Sequence, residues 1–387
     1  MLKQQFLADY LEHIIPVPFL LSSNGEVTQL GKEPPRFTVT IKNEIDKKAL
    51  LASTSLALGE AYMRGDLEVD RDLFEVLDTF LGGMDKFTTN HSLLRRLLYT
   101  SSSKKNQAKE VTSHYDIGND FYALWLDETM SYSCGYFKSE NDTLREAQIQ
   151  KVDHILEKLQ LKQGMTLLDI GCGWGFLLKR AVQKYGVIGV GITLSKEQAK
   201  KAREDIQREG LEEKISIQLM DYRDLKSSRW RFDRVVSVGM LEHVGRENYP
   251  LFLKCVKSVL NPSGLFLLHY ISALKEHPGD AFIKKYIFPG GMVPSLREII
   301  HLMSEEQFYI LDVESLRRHY SKTLLCWREN FLAHREEIIK MQGIEFTRMW
   351  ELYLTACAAT FKNGVIDLHQ ILISNGINNE IPMTRVV

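Results

Sequence analysis

The sequence predicts an α/β protein: a doubly wound, mostly parallel sheet preceded by a small N-terminal α+β domain. Three observations predict it. Strands and helices alternate from about residue 141 to residue 272. The strand segments are continuous apolar runs, the pattern of strands covered by helices on both faces. The first of them, LLDIGCGWG (167–175), ends in an acid followed by glycines at alternate positions: Gly171, Gly173 and Gly175.

Each element follows from its local pattern. Residues 1–95 carry the alternating segment PRFTVTIKN (35–43), a strand, and then KKALLASTSLALGEAYMRGDLEVD with helical spacing of Leu50, Leu51, Leu56 and Leu58. Residues 96–110, with SSSKKNQAKE at 101–110, are polar and read as a linker. Residues 111–387 form the larger domain. It opens on an aromatic block, SHYDIGNDFYALWLDETMSYSCGYF (113–137), and a helix over about 141–160. The glycine strand comes next. GVIGVGITLS (186–195) is a second parallel strand, followed by a helix with Ser195 as N-cap and Gln198 completing a capping box. KISIQLMDYRDL (214–225), FDRVVSVGMLEHVG (232–245) and GLFLLHYIS (264–272) supply three more strands, with a helix ended by Asn261-Pro262 before the last. Residues 275–330 read as an insertion on the substrate side, and 331–375 read as helical.

Bulk composition narrows the class. The chain has 387 residues, 44% hydrophobic and 26% charged, enough for an ample core. A net charge of −1 leaves no basic excess for nucleic acid. The five cysteines are scattered without a CxxC pair, which supports neither a metal site nor a disulfide framework and fits reduced thiols in the cytoplasm. The N-terminal MLKQQFLADYLEHIIPVPFLL is interrupted by Asp9, Glu12 and His13, so it reads as an amphipathic helix rather than a signal peptide. No run approaches the ~18 apolar residues that would span a bilayer. Any membrane contact is expected to be peripheral.

The glycine strand is where the chemistry starts. Glycine lets a backbone turn sharply at a strand end and approach a ligand closely. Asp169 places a negative charge there, which suits a cofactor carrying an ammonium and a sulfonium and would repel a pyrophosphate. A dinucleotide fingerprint would need its last glycine where this chain has Phe176. The expected cofactor is S-adenosylmethionine. Ligands of open parallel sheets bind at the carboxyl ends of the strands. The other ends offer Thr193; Asp221 and Tyr222, suited to an adenine amine and ring face; Glu242 and His243; and His269 with Ile271 two residues on, along the same strand face. Glu242 follows a strand directly, where a buried carboxylate is costly without a partner, and this favours function. Gln198 reads equally as a capping residue or a cofactor contact. His269 also reads as a satisfied core histidine, and His243 better as a loop or core histidine. Cys134 reads as a small apolar residue and Cys357, in LTACAAT, as a helix-packing cysteine. Most of the aromatic block reads as core.

These residues make the chain recognisable as similar to the cyclopropane-fatty-acyl-phospholipid synthases. The likeness is carried in order by HYDIGNDFYALWLDETMSYSCGYF (114–137), LDIGCGWGF (168–176), GVGITLSKEQ (189–198), DYRDL (221–225), SVGMLEHVG (237–245), LLHYI (267–271), KKYIFPGG (284–291), HYSKTLLCW (319–327) and YLTACAATF (353–361), with LGEAYMRG (58–65) in the N-terminal domain. It implies a seven-stranded, class I methyltransferase-like sheet. It also implies transfer of a methylene group from S-adenosylmethionine to the cis double bond of an unsaturated phospholipid acyl chain, with bound bicarbonate as proton acceptor. Carried over by motif, the bicarbonate pocket would use Cys134 through its N–H, Ile271 through its carbonyl, and Glu242, His269 and Tyr320. The cofactor would touch Tyr132, Ser133, Asp169, Gly171, Gly173, Thr193, Gln198, Asp221 and Tyr222. Cys357 matches a cysteine proposed in the family as a nucleophile, though no nearby charge would lower its pKa. Tyr115, Phe121 and Tyr136 offer ring faces for a cation on the acyl chain.

The implied substrate lies in a bilayer, which places the protein in the cytoplasm, peripheral at the inner membrane face. The candidate contacts are the N-terminal helix 3–21 and Lys284-Lys285-Tyr286-Ile287-Phe288. The small N-terminal domain is also a candidate for homodimerisation. The competing readings are a methyl-branching or small-molecule methyltransferase on the same scaffold, and a non-catalytic lipid-binding homologue.

Overall fold

The computed structural model describes residues 2–84, 117–276 and 279–384. The chain divides into two compact units. One comprises residues 1–91, 279–289 and 321–365, and the other 92–278, 290–320 and 366–387. The expected linker 96–110 lies outside the described residues, as does Tyr115.

The first unit holds a four-stranded sheet made of β1 (Phe19–Ser23), β2 (Glu26–Leu30), β3 (Thr38–Ile41) and β4 (Leu67–Val69). The spatial order is β2-β1-β3-β4, with β1 and β3 parallel and the outer pairs antiparallel. Leu7 and Leu11 of the first helix, Leu2–Ile14, close its core over Phe19, Leu21, Val39 and Ile41. The helical reading of 47–70 separates into Lys47–Ala52 and Thr54–Arg64, after which Gly65 (φ 79°) turns the chain into β4. Leu67 and Val69 are therefore strand residues. Arg348, on the helix Ile344–Lys362, stacks 4.1 Å from the Tyr62 ring and ties that helix to Thr54–Arg64.

The second unit is built on seven strands: β5 (Thr166–Ile170), β6 (Ile188–Thr193), β7 (Ile215–Leu219), β8 (Phe232–Val238), β9 (Leu260–Ala273), β10 (Tyr309–Ser315) and β11 (Ile366–Ser374). Their order is β10-β11-β9-β8-β5-β6-β7. Pairings among β5 to β9 are parallel, and β11 runs antiparallel to both its neighbours. The chain proceeds from β5 outward through β6 to β7, then returns to β8 on the other side of β5. That reversal opens a crevice at the carboxyl ends of β5 and β8, where open α/β sheets bind ligands. The side chains of β9 show why the strands read as unbroken apolar runs. Phe266, Leu268 and Tyr270 pack toward Phe252, Val256, Ile299 and Met303, while Leu265 and Leu267 pack toward Val152, Ile155 and Leu178. Both faces are covered.

Two expectations are corrected here. Residues 366–374, read as part of a helical segment, form β11, between the edge strand β10 and β9. The preceding helix ends at Lys362, and Gly364 (φ 69°) breaks the helical direction. A short apolar run such as ILIS cannot be assigned by periodicity alone. Residues 309–315, read as part of an insertion, form the edge strand β10, so only part of 275–330 stands outside the sheet.

Candidate active site

The crevice holds a cavity of about 160 Å³, walled by segments 129–133, 169–174, 192–194 and 238–240 together with Met220, Tyr222 and several other single residues. Each wall has a local cause. β5 ends at Ile170, and Gly171 takes φ 84°, a left-handed conformation that favours glycine. A Cβ there would also approach Met240 to 3.0 Å. Gly175 (φ 81°) then starts the helix Phe176–Tyr185. At the end of β6, the Thr193 hydroxyl donates to Gln198 Oε1 at 3.0 Å and accepts from Ser195 N at 3.2 Å.

That pair corrects the capping expectation. Ser195 does cap the helix Lys196–Arg208 by accepting from Gln198 N. The Gln198 side chain, however, turns to Thr193, and both residues line the cavity. A reciprocal box forms instead at Thr143 and Glu146, the start of the helix Leu144–Lys158.

Eight of the nine cofactor candidates line the cavity: Tyr132, Ser133, Asp169, Gly171, Gly173, Thr193, Gln198 and Tyr222. Tyr132 is seated against the rings of Tyr122 and Trp125, with centroids 5.6 and 5.2 Å away. Asp169 is buried, and its Oδ1 has no hydrogen-bond partner among the described residues. Burial pushes its carboxyl up to about 7, with the Lys151 cation pulling the other way. The ninth, Asp221, is placed differently. Its carboxylate accepts from Arg223 N and pairs with Arg223 Nε, both at 2.9 Å. It thereby caps the turn 222–224 that puts Tyr222 on the wall, and it is not itself among the lining residues.

The proton-handling candidates gather around β9. Glu242 sits in the turn 241–243 after β8, and its Oε1 accepts from Ile271 N at 2.7 Å. Its Oε2 is buried without a hydrogen-bond partner among the described residues. Desolvation raises this carboxyl to about 7, against the opposing Ile271 N–H. His269 Nδ1 lies 3.2 Å from Gln370 Nε2, while its Nε2 is likewise buried without a partner. Burial holds this imidazole well below its usual range, so it is neutral near pH 7. Cys134 and Tyr320 meet at one carbonyl: Leu316 O accepts from Cys134 Sγ at 3.8 Å and from Tyr320 N at 3.0 Å. Leu316 N in turn donates to Leu368 O, and Leu368 pairs with Ile271 across β11 and β9. The structure thus links Cys134, Tyr320, Ile271 and Glu242 through one short chain of contacts. A buried polar row extends it, because Gln370 lies opposite both His269 and Glu314. Glu314 Oε2 is 2.7 Å from His154 Nε2 and 2.6 Å from Lys158 Nζ.

Other candidates fall elsewhere. Cys357 belongs to the other compact unit, on the helix Ile344–Lys362. Burial pushes its thiol up to about 12, which leaves no thiolate to act as a nucleophile. Phe121 is fully buried against Tyr122 and Trp125, and Tyr136 is stacked by His154 and His319 at 4.2 and 4.8 Å. Neither lines the cavity. Two residues that the sequence does not single out, Lys151 and Gln148, and His243, read there as a loop or core histidine, do contribute. Lys151 and His243 line the cavity, and Gln148 Nε2 donates to Ser133 O at 2.8 Å, fixing the 131–133 segment. The signal for two of them was present: Gln148, Lys151, His154 and Lys158 recur at helical spacing on the packed face of Leu144–Lys158, where apolar residues belong.

The sheet order, the glycine turn and the cavity at the strand ends define a class I methyltransferase. The chain belongs to the mycolic acid cyclopropane synthetase family, which its residues 102–371 match; residues 4–92 match a domain of unknown function, DUF7884. It is 42% identical over 354 residues to the cyclopropane-fatty-acyl-phospholipid synthase of Escherichia coli K12, covering 90% of each chain. It is 39% identical over 376 residues to a protein of Pseudomonas putida named probable fatty acid methyltransferase, covering 94% of this chain and 93% of that one. Among solved structures, mycolic acid cyclopropane synthase CmaA1 complexed with SAH and CTAB superposes with a TM-score of 0.65 at 38% identity, over 69% of this chain and 98% of that one.

Proposed function

We propose that this enzyme transfers a methylene group from S-adenosylmethionine to the cis double bond of unsaturated phospholipid acyl chains, with bicarbonate as the proton acceptor. The observation that carries the reading is the pair of unsatisfied buried groups beyond the cofactor cavity, Glu242 Oε2 and His269 Nε2. Leaving buried polar atoms unpaired is costly, so their presence points to a ligand that completes them.

The residues suit both implied groups. Asp169 offers a lone carboxylate oxygen to the cofactor's ammonium, Tyr222 a ring face to its adenine, and Gly171 and Gly173 a close backbone approach. S-adenosylmethionine supplies an electrophilic methyl group, which an unactivated alkene attacks only when held against it away from water. Bicarbonate would be held by His269 and Tyr320, with Cys134 N–H and Ile271 carbonyl completing the set by likeness to the family. Glu242, fixed on one oxygen by Ile271 N–H, keeps its other oxygen to share or accept the departing proton. With a carboxyl near 7, it can do so close to neutral pH. A simple amine methyltransferase has no use for this second set of groups.

No helix among the described residues is long and apolar enough to cross a membrane. Access to a bilayer substrate then rests on peripheral contact at the inner membrane face, with Leu2–Ile14 and the segment 284–288 as the candidate surfaces. Within that segment Lys285 is paired with Glu60 at 2.5 Å.

Incubation with S-adenosylmethionine and vesicles of a cis-monounsaturated phospholipid, with saturated vesicles as control, tests the reading by mass spectrometry of the acyl chains. The expected product gains one CH2 and loses the alkene, and saturated chains stay unchanged. Unaltered unsaturated chains would refute it.

A further inference from the structure

We propose that Lys151 holds the α-carboxylate of the cofactor's amino-acid end, in the same cavity where Asp169 holds its ammonium. This rests on the cofactor reading above and adds to it a residue and a selectivity.

Lys151 is 3% exposed and lines the cavity. Its ammonium carries three donors, and the one hydrogen bond described for it goes to a neutral group, Ser133 Oγ, at 3.0 Å. Among the described residues no carboxylate lies within ion-pair distance. Asp127 faces it, but that carboxylate is engaged by Thr129, through Oδ2 with the backbone N–H and through Oδ1 with the hydroxyl. Asp169 and Cys134 are the other groups that bear on it. A buried cation satisfied by a single hydroxyl is expensive, and so is the buried Asp169 carboxylate with a bare Oδ1.

The two deficits have opposite sign and line the same cavity. An α-amino-acid zwitterion satisfies both at once, its carboxylate on Lys151 and its ammonium on Asp169. Ser133, bonded to Lys151 through its hydroxyl and to Gln148 through its carbonyl, is thereby set beside the carboxylate. Burial pulls the Lys151 ammonium down to about 8, so it is still charged at neutral pH, and a bound carboxylate strengthens that charge. The cavity is then built to reject ligands that keep the nucleoside and sulfonium but lack the carboxylate.

Isothermal titration of the full chain with S-adenosylmethionine and with its decarboxylated analogue, for the unaltered protein, Lys151→Met and Lys151→Arg, tests this. The unaltered protein is expected to favour S-adenosylmethionine roughly 10- to 100-fold, the range of a charged hydrogen bond. Lys151→Met should lose that factor for S-adenosylmethionine and leave the analogue nearly unchanged, and Lys151→Arg should restore part of it. Equal loss for both ligands, or no loss for either, would overturn the assignment. Should Lys151→Met fail to fold, the unaltered protein decides: equal affinity for the two ligands overturns it. Absence of S-adenosylmethionine binding by the unaltered protein would instead remove the cofactor reading beneath it.

Discussion

Replacing Glu242 with glutamine is expected to lower turnover by roughly 10²- to 10⁴-fold, the usual contribution of a general acid–base group. Affinity for S-adenosylmethionine should stay within about threefold of the unaltered value. The amide oxygen can still accept from Ile271 N, so the 2.7 Å contact survives, but the NH2 that replaces Oε2 cannot take a proton. The pH dependence has a definite sign. Glu242 titrates near 7, raised by burial, so activity that needs the carboxylate should climb as pH passes through 7, and the variant should lack this limb. Stability should move the other way. A carboxyl raised in the folded state favours folding when protonated, and that contribution is lost as pH rises from the unfolded value near 4.5 through 7. At pH 8 the glutamine variant should therefore melt no lower than the unaltered protein, despite its lost turnover. A variant with normal turnover, or one that melts markedly lower at pH 8, would contradict this placement of Glu242.

Asp169→Asn should weaken S-adenosylmethionine roughly 10- to 100-fold, because a neutral amide replaces a charged partner of the ammonium. Asp169 also titrates near 7, so affinity in the unaltered protein should rise as pH goes from 6 to 8 and fall off below. The asparagine variant should lack that rise. Calorimetry at the two pH values reads both effects, and an asparagine variant with the unaltered affinity and slope would refute the role. The Lys151 charge lowers the Asp169 carboxyl, so the two residues hold each other in the ionised forms that a zwitterionic ligand needs.

Much of this site was legible in the residues because strand ends announce themselves. LLDIGCGWG combines a buried run with an acid and glycines that take left-handed φ, and no helix tolerates that spacing. Glu242 stood out because a carboxylate beside an apolar strand needs a reason. What stayed hidden was hidden by tertiary contacts. Lys151 belongs to a polar stripe at helical spacing that a solvated helix face would also show, and only the position of β10 and of segment 131–133 shows that the stripe faces inward. Asp221 reads as an adenine contact, and only the structure shows that Arg223, two residues on, pairs with its carboxylate. β11 reads as helix because its one short apolar run, ILI at 371–373 after a long helix, carries no period that separates strand from helix. β10 exposes Tyr309, Leu311 and Val313 on alternate positions, an edge-strand pattern that an insertion would also show.

The central claim is that a proton leaves the transferred methyl group before the product is complete. Its most direct test uses S-adenosylmethionine with a fully deuterated methyl group and vesicles of a cis-monounsaturated phospholipid. Mass spectrometry of the modified acyl chain then counts the label. Methylene transfer with ring closure leaves two of the three deuterium atoms on a chain that has lost its alkene. A chain that keeps all three, as a methyl branch would, contradicts the claim.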